Sequence, residues 1–136
     1  MRKLGQRGTA ALEFCLVAVP LFTLMFAVVD LARYALTMQS LRMLANAGAR
    51  AVMMNCYTND EIQGVSPSGC TTVPLSTEQE EAVAPFLFAA GLTATLSITA
   101  NSHTLTVTAS QPAFTMLVPV WGKSFNAPSA STSIPF

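Results

Sequence analysis

Two features near the N-terminus could take part in chemistry: the lone carboxylate of Glu13 and the bond after Gly8, a candidate cleavage position. Glu13 is the only charged residue in positions 9–29, an otherwise largely apolar stretch. A carboxylate at membrane depth costs several kcal/mol unless it is paired, neutralised or close to the membrane surface. Cleavage after Gly8 would create an α-amine on Thr9, about one helical turn from Glu13 in depth. If such helices pack side by side, the amine of a neighbouring copy would offset the charge. Alternatively, the Glu13 carboxylate is not paired with an amine and only reaches the lipid headgroups.

The stretch at positions 9–29 is long enough for one bilayer crossing. The basic residues in front of it predict a cytoplasmic N-terminus and an outer C-terminal part. Three interpretations compete: a secretory signal peptide, a plain membrane anchor and a prepilin-type leader. The end of the run is a poor signal-peptidase site, and a plain anchor leaves Glu13 unexplained. A leader at positions 1–8, ending in Gly8, accounts for both features and is favoured.

Four short motifs then follow in a characteristic order and spacing. They are Arg7-Gly8-Thr9-Ala10-Ala11-Leu12-Glu13-Phe14, Pro20, Asp30-Leu31-Ala32-Arg33 and Ala45-Asn46-Ala47-Gly48-Ala49-Arg50-Ala51. Together they resemble the TadE-like family, the pseudopilins or minor pilins of tight-adherence (Tad, type IVb) pili. The resemblance covers positions 5–54. It implies cleavage by a prepilin peptidase between Gly8 and Thr9, with Glu13 and Phe14 contributing to peptidase recognition or assembly.

The resemblance also implies where the protein works and with what. The implied location is the bacterial inner membrane, crossed once, with the C-terminal domain in the periplasm and an extracellular pilus as a location after assembly. The implied partners are other pilin and pseudopilin subunits, the prepilin peptidase, the inner-membrane assembly platform and the lipid bilayer. The implied role is in pilus assembly, adhesion or biofilm formation. Because the formal net charge is zero, no nucleic-acid partner is expected.

Beyond the membrane, the helix is expected to continue over positions 30–54. Apolar residues recur there at three- and four-residue spacing: Leu31, Ala35, Met38, Leu41, Ala45, Gly48 or Ala49, and Val52. The small residues at positions 45–51 would let another element approach closely. Asp30 and Arg33 are expected to form a solvated ion pair at the outer membrane surface.

Positions 55–136 are expected to form a small outer domain, which makes the whole chain α+β. A capping box predicts a second, short helix that begins after Thr77, with Glu80 as its partner, and ends at Gly91. Strict alternation then predicts an antiparallel hairpin over 94–100 and 104–109, and a weaker third strand over 127–134. The apolar loop at 111–123 could be core or an exposed patch.

Three cysteines and one histidine limit the remaining chemistry. An oxidising compartment predicts a disulfide between Cys56 and Cys70, whereas Cys15 in the membrane stretch should stay reduced. The only histidine, His103, falls in the predicted hairpin turn and is expected to be a polar turn residue. Because the sequence shows no other catalytic or metal-binding group of residues, no enzymatic activity, metal site or cofactor is expected. The alternative function is a membrane-anchored binding or adhesin module that keeps its anchor uncleaved and never polymerises. The resemblance also disfavours a major fibre subunit, because the major subunits of this pilus class are much shorter than this chain with its outer domain.

Overall fold

The computed structural model of the chain describes residues 7–56, 63–65, 70–101, 103–118 and 121–135. Positions 1–6 of the predicted leader (positions 1–8) and much of the segment between Cys56 and Cys70 lie outside the described residues. The described part confirms the predicted α+β fold. It consists of a long N-terminal helix and a small domain with short helices and a three-stranded antiparallel sheet.

The long helix α1 (Arg7–Cys56) contains 50 residues and continues through Pro20 without a break. At 1.5 Å per residue it is about 75 Å long. Its first half is apolar on all sides, and its large side chains there are exposed: Leu12, Phe14, Leu16, Val17, Val19, Leu21, Phe22, Leu24, Met25, Phe26, Val28 and Val29. In the second half the apolar residues gather into one stripe, and this half packs against the small domain.

The sheet comprises β1 (Thr95–Ala100), β2 (Thr104–Ser110) and β3 (Ser129–Pro135), with β2 in the centre. Both pairings are antiparallel. All three predicted strands are present, with boundaries shifted by two residues at most. The alternation of apolar residues with Thr or Ser puts Leu105, Val107 and Ala109 of β2 on the buried face.

The core lies between this face and the outer half of α1. Leu41, Leu44, Ala45, Ala49 and Val52 of α1 are buried there. The small residues serve close approach, as expected. A Cβ atom placed on Gly48 would lie 3.1 Å from Cγ1 of Val107, so β2 is the element that comes near. The predicted stripe does not pack along its whole length, however, because Leu31 and Ala35 remain exposed.

The second predicted helix is divided into α2 (Thr77–Val83) and α3 (Pro85–Phe88), followed by a 3₁₀ turn, Ala89–Gly91. The break falls at Ala84 because Pro85 lacks the N–H that would continue α2. The predicted capping box was wrong by one residue. Ser76 is the N-cap: its Oγ accepts the backbone N–H of Gln79 at 3.4 Å, and its own N–H donates to Gln79 Oε1 at 3.0 Å.

Candidate functional site

The residues predicted to direct cleavage and assembly lie at the start of α1. Gly8 and Thr9 fall in its first turn, and the side chains of Glu13 and Phe14 are exposed. Glu13 follows Thr9 by four residues, so the two lie on the same face of the helix, about 6 Å apart along its axis. The structure thus places the Gly8–Thr9 bond and the Glu13 carboxylate together at one end of the molecule, remote from the small domain.

The first half of α1 is long and apolar enough to cross a membrane. The most apolar 18-residue window of the helix contains no buried residue, so the small domain covers none of it. A helix that is apolar all round is stable only where lipid or other helices surround it. The only ionisable group that this half presents between Thr9 and Val29, apart from the Cys15 thiol, is the carboxyl of Glu13.

The predicted disulfide between Cys56 and Cys70 is present in the structure. Its two Cα atoms are 5.8 Å apart, and it joins the last residue of α1 to the segment that leads into α2. Cys70 is buried and packs in the same cluster as Val52 and Leu105. Cys15 is a free, exposed cysteine on the membrane half of α1. The cross-link therefore lies at the opposite end of α1 from Gly8 and Thr9.

A polar junction ties the small domain to α1 where the apolar half ends. The Asp30 side chain is only 1% exposed, and its Oδ2 accepts the backbone N–H groups of Leu117 and Val118 at 2.9 and 3.0 Å. Its Oδ1 accepts from Arg33 at 3.2 Å. The prediction of a solvated pair was therefore wrong for Asp30. Sequence patterns could not find its partners, because they are backbone groups of a loop that lies 87 and 88 residues later.

Aromatic rings pack around the same junction. This aromatic cluster consists of Tyr34, Phe114, Trp121 and Phe125. The Tyr34 ring lies edge-on to Phe125 with centroids 5.0 Å apart, and Phe125 lies edge-on to Trp121 at 6.1 Å. The Arg33 guanidinium lies 5.5 Å from the centroid of Phe114. The loop predicted to be either core or an exposed patch is therefore both: Phe114 is buried, whereas Leu117 is 72% exposed.

A buried amide holds the other end of this loop. Gln111 is 1% exposed, and its Nε2 donates to the backbone oxygen of Leu87 at 2.9 Å. Inside the loop, the N–H of Ala127 donates to the oxygen of Phe114 at 3.0 Å, and Asn126 Oδ1 accepts the N–H of Met116 at 3.1 Å. The loop between β2 and β3 is thus fixed by the hydrogen bond of Gln111 to Leu87, by those of Leu117 and Val118 to Asp30, and by hydrogen bonds within the loop itself.

No group of three or more His, Cys, Asp or Glu side chains comes together among the described residues. His103 is exposed at the turn between β1 and β2. Partial burial raises the pKa of the Glu80 carboxyl above its ordinary value, but Glu80 lies in the first turns of α2, where acids also favour the helix N-terminus. These residues are structural parts of a turn and a helix.

The fold and the apolar helix define the class of the molecule: a small α+β domain carried on one long helix whose first half can cross a membrane. The family model for TadE-like proteins matches residues 8–50, which confirms the resemblance over that segment. The match begins at Gly8 and contains Glu13, Phe14 and Asp30, and it ends before the small domain. Comparison with curated proteins and with solved structures gave no match.

Proposed function

We propose that this protein is a minor pilin or pseudopilin of a tight-adherence (type IVb) pilus. It is inserted in the bacterial inner membrane through residues 9–29, with a cytoplasmic N-terminus and a periplasmic small domain. Its role is structural rather than enzymatic, in pilus assembly, adhesion or biofilm formation. The observation that carries this proposal is the TadE-like match, which starts at the residue proposed as the cleavage position, Gly8.

Maturation follows from the order of residues at the start of α1. A prepilin peptidase would cut between Gly8 and Thr9 and remove the basic leader, so that α1 begins with a free amine. Residues 9–29 then form an apolar helix end with one carboxylate. Such an end remains stable in the bilayer and can also pack against the corresponding helices of other subunits.

Glu13 would determine the axial position of one subunit's helix relative to the helix of its neighbour. A carboxylate among apolar helices is stabilised when a cation lies within hydrogen-bonding reach, and the Thr9 amine of a neighbouring mature subunit is a cation of this kind. Since an uncompensated charge between helices costs several kcal/mol, subunits shifted along the axis would be disfavoured. The most apolar 18-residue window of α1 contains no residue buried by the described part of the small domain, so this surface is accessible to the other subunits and the assembly platform.

The test is co-purification of pilus subunits from native membranes with the full chain carrying Glu13→Ala. Association should fall while leader cleavage largely persists, because the cut lies five residues before Glu13. Cys15→Ala is a matched control on the same exposed helix end and should leave association unchanged. Undiminished co-purification with Glu13→Ala would contradict the pairing and favour a carboxylate that merely reaches the headgroups.

A further inference from the structure

We propose that the loop between β2 and β3 rests on the bilayer, inserting Leu117 among phospholipids of the leaflet nearest the small domain. The occupant of the exposed surface of Leu117, which we call the Leu117 patch, is lipid, and Leu117 lies next to the residue at which the apolar half of α1 ends. The inference rests on α1 crossing the membrane, as in the proposed function. It concerns a different part of the chain, whose position the TadE-like match does not describe.

The depth of the loop follows from the length of the apolar half of α1. Residues 9–29 rise about 31 Å, close to the roughly 30 Å thickness of a hydrocarbon core. Asp30 therefore lies at the boundary between acyl chains and headgroups. The backbone nitrogen of Leu117 lies 2.9 Å from the Asp30 carboxylate, so Leu117 is at the same depth.

The side chain of Leu117 has the exposure that insertion requires. It is 72% exposed, although its backbone is fixed by the hydrogen bond to Asp30 and the loop is braced internally. A rigidly held apolar side chain beside a membrane helix loses water-exposed surface when it enters lipid, with little further loss of conformational freedom.

The polar and aromatic groups near Asp30 also suit a location at the boundary between acyl chains and headgroups. Asp30 can lie at the hydrocarbon boundary because the N–H groups of Leu117 and Val118, with Arg33, satisfy its charge within the protein. Tyr34 and Trp121 belong to the aromatic cluster, and such amphipathic rings are enriched at the headgroup level of membranes. The partly exposed Arg33 supplies a cation for lipid phosphates.

Trp121, the single tryptophan of the chain, makes the test direct. The full chain is reconstituted in phosphatidylcholine–phosphatidylglycerol vesicles whose acyl chains carry bromine either near the headgroup or near the methyl end. Trp121 emission should be quenched, and more strongly by the shallow bromines. With Leu117→Trp in a Trp121→Phe background, quenching should shift toward the deeper bromines. Leu117→Asp changes a side chain that is 72% exposed, and it should weaken the quenching of Trp121.

A control tryptophan and a flotation assay separate the possible failures. Met54→Trp with Trp121→Phe places the probe at a 79% exposed position of the same helix, about 36 Å beyond Asp30, and should not be quenched. If the chain floats with the vesicles but Trp121 emission is indifferent to both bromolipids, the lipid proposal is overturned and the Leu117 patch is left for a protein partner. If the chain does not float, the membrane-spanning role itself fails.

Discussion

The Asp30 carboxylate accepts the backbone N–H of Leu117 at 2.9 Å, across a separation of 87 residues. This bond joins the helix to the small domain at the level where the apolar half of α1 ends. The same carboxylate accepts the N–H of Val118 and pairs with Arg33. Asp30 is thus the point at which the membrane helix and the β2–β3 loop fix each other's position.

Replacing Asp30 should destabilise the small domain and release this loop. Asp30→Ala leaves two backbone N–H groups without their acceptor, so it should lower the free energy of unfolding by about 2–4 kcal/mol. Asp30→Asn retains a side-chain oxygen and should cost less. The measurement is denaturant unfolding of the full chain in micelles, followed by Trp121 fluorescence.

Arg33→Gln is the matched control for this experiment. Arg33 is partly exposed, and its ion pair and its contact with Phe114 should together contribute less than about 1.5 kcal/mol. A loss for Asp30→Ala no larger than that for Arg33→Gln would mean that the backbone acceptor role is unimportant.

The disulfide between Cys56 and Cys70 should stabilise the outer end of the molecule. The cysteines are separated by 14 positions, and closing a loop of this size contributes about 3 kcal/mol in the chain-entropy model. Thiol labelling of unfolded, unreduced protein should modify Cys15 alone, and all three cysteines after reduction. With Cys15→Ser, labelling before reduction should vanish. Three free thiols in protein taken from native membranes would argue against both the bridge and the outward orientation.

Gly48 should not accept a side chain larger than a methyl group. A Cβ there would already lie 3.1 Å from Cγ1 of Val107, so Gly48→Val forces α1 and β2 apart and should cost about 1–3 kcal/mol of unfolding free energy. Gly48→Ala should be nearly neutral, because its better helix propensity, about 1 kcal/mol, offsets the tight contact. Ala35→Val, at an exposed position of the same helix, should change stability by less than about 0.5 kcal/mol. Equal effects of Gly48→Val and Ala35→Val would contradict the close approach.

The start of α2 offers a comparison between two adjacent hydroxyl residues. Ser76→Ala removes the N-cap and should lower stability by about 1 kcal/mol, measured by thermal unfolding. Thr77→Ala should have little effect or raise stability slightly, since Thr77 is the first helical residue and alanine favours the helix. A larger loss of stability for Thr77→Ala than for Ser76→Ala would indicate that Thr77 is the N-cap, as the sequence pattern predicted.

The sequence predicted the strands well because their alternation is strict: Leu105, Val107 and Ala109 can face the core only in one register. It misplaced the helix cap because Ser76 with Gln79 and Thr77 with Glu80 both satisfy the same pattern. Only the backbone geometry distinguishes these two possibilities.

The role of Asp30 could not be predicted for a different reason. Its spacing to Arg33 is typical of a surface pair, and that pair does form. The carboxylate is buried by a loop with no periodic pattern, whose N–H groups carry no side-chain signature. The start of α1 was simpler, since the order of Gly8, Thr9 and Glu13 before and within an apolar run is visible in the sequence itself. The family match then confirmed the resemblance over that segment.

If the chain matures as a pilin-like subunit, the mass of the mature protein will show the loss of its leader. After co-expression with an active prepilin peptidase, intact-mass measurement should show the loss of residues 1–8, with Thr9 as the first residue. Gly8→Leu should leave the chain at full mass, because a bulky residue at the cut blocks the peptidase. A wild-type chain that stays uncut beside a peptidase active on another substrate would contradict the account and favour an uncleaved, non-polymerising anchor.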